Sequence, residues 1–145
     1  RIFELINPDI AVFGAKDYQQ QILIRKMVKS LYSNLELLTA PIIRSQSGLA
    51  LSSRNNYLSK DELLLASNLF KSLQRSVESY NNKISIDQII NDAQEFLKSN
   101  NLFPDYFELR DSQLKKIANN SFIGKRVFLS SVTINKTRLI DNIEF

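Results

Sequence analysis

Asp9-Ile-Ala-Val-Phe-Gly-Ala-Lys-Asp17 and Leu35-Glu-Leu-Leu-Thr-Ala-Pro41 bracket a helix-patterned stretch, and these three segments decide how the chain folds. Each outer segment is a short apolar run of strand formers closed by a breaker, Gly14 in one case and Pro41 in the other. Both read as buried strands. Between them, Tyr18 to Leu31 sets Leu23, Ile24, Met27, Val28 and Leu31 on one face at helical spacing, with Gln19, Arg25, Lys26 and Lys29 mostly elsewhere. Strand, helix and strand in this order predict a βαβ unit with parallel strands and a right-handed crossover.

Working outward, Arg1-Ile-Phe-Glu-Leu-Ile6 reads as the tail of a helix whose start signal lies upstream. Past Pro41 the pattern loses its period as far as Leu58. It gathers Ser45, Ser47, Gly48, Ser52, Ser53, Asn55 and Asn56, a long loop of the kind that is functional or joins domains. Ser59 and Glu62 form a capping-box pattern for a helix with Ala66, Leu69, Phe70, Leu73 and Val77 on its apolar face. Ser85 and Gln88 repeat the device before Ile86, Ile89, Ile90, Ala93, Phe96 and Leu97. Tyr106–Arg110, Arg126–Ile134 and Thr137–Ile140 have strand composition, with loops expected at Asn81-Asn82 and Asn119-Asn120. The fold expected is α/β, with the join placed between residues 43 and 44. A parallel βαβ over 1–43 precedes an α+β part over 44–145, two main helices on a three-stranded, mainly antiparallel sheet.

Composition narrows the chemistry. The 145 residues are 43% hydrophobic and 23% charged, an ordinary globular balance. Cysteine and histidine are both absent, which removes thiolate metal sites, disulfides and the commonest general base and metal ligand. Reactive groups must come from Lys, Arg, Ser, Asp or Gln. The net charge of +4 favours anionic ligands mildly, and without a basic-and-aromatic stacking motif it gives no case for nucleic acid. No apolar run approaches the roughly 18 residues of a membrane span. A soluble, cytoplasmic protein is expected.

Two segments concentrate candidate functional groups. Gly14-Ala-Lys-Asp17 lies where a parallel strand hands over to a helix, the edge at which open α/β sheets bind ligands. Gly14 permits close approach to the backbone, the helix start offers unpaired N–H groups, and Lys16 adds a full charge, a set suited to phosphate. The plain alternative is that Gly14 ends a strand, Lys16 is solvated, and Asp17 caps the helix by accepting from the N–H of Gln19 or Gln20. Gln20 can donate to and accept from a hydroxy acid, or be a surface amide. In Gly48-Leu-Ala-Leu-Ser-Ser-Arg-Asn-Asn56, Ser52 and Ser53 can donate to phosphate oxygens and Arg54 can fork two N–H bonds onto them. The same residues commonly do no more than cap a turn.

Taken together, Asn7-Pro-Asp-Ile-Ala-Val-Phe-Gly-Ala-Lys-Asp-Tyr-Gln-Gln20, Gly48-Leu-Ala-Leu-Ser-Ser-Arg-Asn55, Tyr106-Phe-Glu-Leu-Arg-Asp111 and Leu139-Ile-Asp-Asn142 resemble, in order and over the whole chain, the C-terminal half of the pantothenate synthetases. The resemblance implies the end of a Rossmann-like domain of the class I aminoacyl-tRNA synthetase kind, followed by a lid that carries the Ser-Ser-Arg loop. It implies ATP-dependent joining of pantoate to β-alanine through a pantoyl-adenylate, with Mg²⁺ accompanying the ATP. Gly14, Ala15 and Lys16 would contact ATP, Asp17 its ribose hydroxyls, Ile43 its adenine through backbone groups, and Gln20 would hold pantoate. Leu51, Ser52, Ser53 and Arg54 would grip the triphosphate, with Lys16, Ser52, Ser53 and Arg54 the groups that assist the chemistry. Arg44 would add positive potential nearby. Lys16 and Arg54 are expected to converge on one triphosphate. The family's histidine-rich ATP-gripping loop would lie upstream of Arg1, so this chain alone is expected not to turn over. The family's homodimer would form through that same upstream part. Another nucleotidyltransferase of the superfamily, or a non-catalytic nucleotide-binding module, are the competing readings.

Overall fold

A computed structural model describes every residue except Ser33. The chain divides into two compact units, Arg1–Ile42 and Ile43–Phe145, so Ile43 falls with the second.

The first unit opens with a short helix, α1 (Ile2–Ile6), closed by Asn7 in the left-handed conformation (φ 47°), with the Asn7 N–H donating back to the carbonyl of Phe3. Asparagine tolerates this conformation better than most residues. Strand β1 (Ile10–Gly14), helix α2 (Tyr18–Leu31) and strand β2 (Glu36–Ala40) follow, and β1 pairs with β2 in parallel, Ile10 opposite Glu36 through Gly14 opposite Ala40. Parallel strands need a crossover, and α2 supplies it. On the side of the sheet facing α2, the Thr39 hydroxyl accepts from both the Gln21 side-chain amide and the Arg25 guanidinium. The ring of Phe3 meets Phe13 and Tyr32 edge-on, centroids 6.4 and 5.6 Å away, which ties α1 to both.

Two expectations change here. The buried side of α2 is Tyr18, Gln21, Ile22 and Val28, whereas Leu23, Met27 and Leu31 are exposed. The spacing through Leu23 to Leu31 is helical, with Val28 buried as it places it, while within this unit Leu23, Met27 and Leu31 stay uncovered and Gln21 bonds Thr39 on the side facing the sheet. The strands are only half covered, because α2 lies against one face of a two-stranded sheet and within this unit leaves Ile10, Val12 and Leu38 of the other face exposed.

The second unit has the main core. After the loop 43–58 come α3 (Lys60–Ala66), α4 (Asn68–Asn81) and α5 (Ile86–Ser99), then β3 (Pro104–Asp111), β4 (Arg126–Ile134) and β5 (Thr137–Glu144) in an antiparallel sheet of order β3-β4-β5. Leu69, Leu73, Ile89 and Leu97 from the helices pack with Phe107, Phe128, Val132 and Leu139 from the sheet. Each such side chain contributes about 1.5–3 kcal/mol by leaving water. Phe128 stacks on Phe145 at 5.4 Å, and Tyr80 meets Phe145 edge-on at the same distance.

The capping box at Ser59 forms as the pattern predicts: Ser59 Oγ accepts from the Glu62 N–H, and Glu62 accepts from the Ser59 N–H at 2.7 Å. The single helix expected from it is broken at Ser67, whose hydroxyl donates to the Leu64 carbonyl at 2.6 Å beside its own N–H at 3.2 Å, a tighter turn than the helical one. At α5 only half of the box is made. Ser85 accepts from the Gln88 N–H, while the Gln88 side chain donates to Asp92 at 2.6 Å.

Candidate functional site

The candidate residues fall into one cluster in each unit. In the first, parallel pairing runs one residue past β1, with the Ala15 N–H donating to the Ala40 carbonyl at 2.8 Å. The chain then turns through Lys16 and Asp17 into α2. Gly14 is exposed, and a Cβ built there would meet no atom within 4 Å, so packing within the protein does not require the glycine. Asp17 occupies the N-cap position, yet its side chain makes no capping bond; its carbonyl accepts from the Gln21 N–H at 3.0 Å. The capping alternative for Asp17 therefore fails, and an exposed carboxylate stands at the start of the helix. Lys16 is partly buried and Gln20 exposed. Of the neighbouring glutamines, Gln21 is committed to Thr39 and so to the fold.

The second cluster is built on a loop pinned at both ends. Arg44 and Ala50 form an isolated antiparallel bridge around a tight turn: the Gly48 N–H donates to the Ser45 carbonyl, the Ser45 N–H to Leu49 and the Leu51 N–H to Ile43, at 2.8–2.9 Å. Gly48 sits at φ +90°, where a Cβ would lie 2.8 Å from Cδ1 of Phe70. Leu49 and Ala50 on one side and Leu58 on the other are buried, whereas Leu51, Ser53, Arg54 and Tyr57 between them are exposed. A 3-10 turn, Ser53–Tyr57, shapes this exposed tip, an element the sequence reading treated as plain loop. Ser52 caps it, its Oγ accepting from the Arg54 N–H at 3.3 Å, the turn-capping bond that a serine commonly makes. Ser53 is left exposed, and Arg54 spends one N–H on the Arg138 carbonyl at 3.4 Å.

Sequence reasoning missed the groups that carry this loop. The side-chain amide of Asn55 donates to the Ala50 carbonyl at 3.1 Å, while its Oδ1 is buried with no partner among the described residues. Arg44 faces Asp141, two bonds deep, with Phe70 under its guanidinium. The segment Leu139–Asn142 carried a signal for Asp141, since it matched the family, but nothing in its composition showed what the acid would meet. On the same sheet, Asp105 accepts from Ser131 at 2.8 Å and Arg138 at 3.1 Å, and the Ser131 bond, aided by Arg138, holds its carboxyl below the ordinary carboxylate range.

Among the described residues no three His, Cys, Asp or Glu side chains gather where they could hold a metal. No helix among those residues is long and apolar enough to cross a membrane.

Comparison with known proteins agrees with these motifs. The family model described as pantoate-beta-alanine ligase matches residues 1–144. A pantothenate synthetase of Ruthia magnifica is 41% identical over 147 residues, covering 99% of this chain and 51% of that protein. A pantoate–β-alanine ligase of Schizosaccharomyces pombe is 37% identical with the same coverage. The crystal structure of the pantothenate synthetase from Thermus thermophilus superposes with a TM-score of 0.90 at 31% identity, over 99% of this chain and 52% of that one. The Francisella tularensis ligase, crystallised with a β,γ-ATP and β-alanine, superposes at 0.68 with 26% identity, over 98% and 46%. The chain thus spans about half the length of the curated relatives it matches. On a family match running from residue 1 to residue 144, this chain belongs to the pantoate–β-alanine ligase family.

Proposed function

We propose that the protein to which this chain belongs condenses pantoate with β-alanine at the expense of ATP, through a pantoyl-adenylate, releasing pyrophosphate and AMP. In this reading Gly14, Ala15 and Lys16 receive ATP at the exit of β1, Asp17 accepts from its ribose hydroxyls, and Gln20 holds pantoate. The backbone of Ile43 serves the adenine, and Leu51, Ser52, Ser53 and Arg54 cover the phosphates. Attack of the pantoate carboxylate on the α-phosphate spreads negative charge over that phosphate and the departing pyrophosphate. Groups fixed in advance around that charge, a lysine ammonium, a serine hydroxyl and an arginine fork, stabilise the transition state more than the ground state. The amine of β-alanine then displaces AMP from the acyl carbon.

The observation that carries the reading is the state of the β1–α2 turn: an exposed glycine with open space where its side chain would be, followed by an N-cap carboxylate that caps nothing. A turn built only for the fold would use that carboxylate on the helix N–H groups, for about 1 kcal/mol. The ATP and β-alanine bound to the Francisella relative support the same substrate class. On its own the 145-residue chain is proposed to bind ATP weakly and not to turn over.

Titration of the isotope-labelled chain with ATP tests this. Amide shifts are expected at Gly14, Lys16 and Asp17 and at Ser53 and Arg54, weakened by Lys16→Ala and Arg54→Ala. Shifts at neither cluster would sink the assignment of ATP to these residues. Pyrophosphate release from this chain at the rate of a full-length relative would refute its proposed inactivity. In such a full-length enzyme, release that follows other acids as readily as pantoate would refute the substrate.

A further inference from the structure

Arg44 has the composition of one more phosphate-attracting residue and the surroundings of something else. Its Nη1 donates to Asp141 Oδ2 at 2.6 Å and its Nη2 to Asp141 Oδ1 at 2.9 Å, a two-pronged fork on a side chain that is 2% exposed. The second N–H of each Nη goes to a carbonyl, Gly48 at 3.1 Å from Nη1 and Asn142 at 3.3 Å from Nη2. The flat of the guanidinium lies 3.6 Å from the centre of the Phe70 ring. Asp141 in turn accepts from the Asn142 N–H at 2.8 Å. A cation so neutralised projects little field outward, because its counter-charge is in contact with it and both are largely withdrawn from water.

We propose that Arg44 is a positioning residue, a clamp that fixes the Ser52–Arg54 loop for phosphate binding without itself contributing to the attraction. This rests on the proposed role of that loop and adds what holds it. The connections are continuous. Arg44 seizes the carbonyl of Gly48 within the tight turn, the turn places Ala50 opposite Arg44, and the Ala50 carbonyl takes the Asn55 amide. The Asn55 N–H then donates to the Ser52 carbonyl at 3.0 Å, and Ser52 Oγ caps Arg54. A continuous run of bonds thus leads from the buried acid on β5 through Arg44 toward the tip of the loop, beside the direct bond from Arg54 to the Arg138 carbonyl of the same strand. A lysine could meet Asp141 with one charge, but its point-like ammonium cannot fork onto the carboxylate, reach two carbonyls and stack flat on Phe70 together.

The clamp and a simple field predict opposite signs for one substitution. Asp141→Asn unmasks a positive charge, so an Arg44 acting by potential would bind ATP more tightly; a clamp released from its acid would bind ATP more weakly. Arg44→Lys keeps the charge and loses the fork, so potential predicts unchanged affinity and the clamp predicts a loss. The test uses the 145-residue chain, with ATP titration and amide exchange as separate readouts. Both variants are expected to weaken ATP binding about fivefold or more and to speed exchange of the Leu51 and Asn55 amides about tenfold, with Phe128 and Val132 in β4 much less affected. Tighter ATP binding in Asp141→Asn would overturn the clamp. So would unchanged loop exchange in both variants, or equal acceleration through β4, which would mark a general stabilising role. Should the unsubstituted chain bind no ATP, the nucleotide assignment fails, and the exchange readout still decides whether Arg44 holds the loop.

Discussion

Replacing Gly48 by alanine would load two separate costs onto one atom. The residue sits at φ +90°, where a side chain strains the backbone whatever room is available, at a cost of about 1–3 kcal/mol. The new Cβ would also lie 2.8 Å from Phe70 Cδ1 and 3.5 Å from Cε1, closer than the ring can accept. The ring cannot simply swing aside, because the Arg44 guanidinium rests on it 3.6 Å from its centre, an interaction worth about 0.5–2 kcal/mol. Overpacking of this kind costs about 1–3 kcal/mol, so the sum is about 2–6 kcal/mol against a total stability of about 5–15 kcal/mol. Hydrogen exchange of the Leu51 amide, bonded to the Ile43 carbonyl across the base of the loop, reads the loss directly. The lower end of that range corresponds to exchange about thirtyfold faster. In a Phe70→Leu background the steric part should vanish and the backbone part remain. Exchange at Leu51 within about threefold of the parent would refute the reasoning, since it would mean that neither the φ angle nor the ring constrains the turn.

Three further outcomes are expected. Gly14→Ala should leave the melting temperature nearly unchanged, a stability effect within about 0.5 kcal/mol, because the added Cβ meets nothing, while ATP-induced amide shifts at Lys16 and Asp17 diminish. Ser59→Ala removes one arm of the capping box and should cost about 1 kcal/mol in urea denaturation, unless the Glu62 link to Asn135 holds α3 by itself. Asp105, whose carboxyl is held low by Ser131 and Arg138, stabilises the fold above the ordinary carboxylate pKa and loses that contribution as pH falls through its own lower value. Asp105→Asn should therefore flatten the acid side of the stability profile, and an unaltered profile would show that the depression has no energetic consequence.

What the chain discloses without coordinates follows from how local each determinant is. The capping box at Ser59 is legible because its two partners are three residues apart and bond to each other. The parallel pair β1 and β2 is legible because strand, helix and strand in succession admit few other solutions. The inward side of α2 is not, because its spacing fixes a stripe of apolar residues but not what lies against them, and within this unit Leu23, Met27 and Leu31 stay uncovered while Gln21 and Ile22 turn in. The break at Ser67 is equally hidden, since a serine hydroxyl inside a helix-forming stretch gives no sign of whether it turns to water or to the carbonyl of Leu64. For the site, the turn at Gly14–Asp17 and the exposed tip at Ser53 and Arg54 lie where their patterns suggest within each unit. Arg44 and Asp141 lie 97 positions apart, and no short-range pattern joins them.

The two arginines of the loop region show why a motif rich in positive charge is a poor guide to which charges meet a ligand. A guanidinium that is to bind phosphate must remain solvated until the ligand arrives, so that phosphate oxygens replace water and little else is broken. Arg54 fits that condition: it is exposed and spends one weak bond at 3.4 Å on a carbonyl. A guanidinium that organises a loop must be desolvated permanently, and desolvation is tolerable only when an acid and several acceptors face it. Arg44 fits this second condition, with a buried carboxylate, two carbonyls and an aromatic ring around it. Removing such an acid matters more than losing an exposed pair, and the loss falls first on the loop that Arg44 ties down. The same residue type thus meets the condition for a ligand contact at one position and for a scaffold ten positions away. Only the position of Asp141, fixed by the register of β5 against β4, tells which is which.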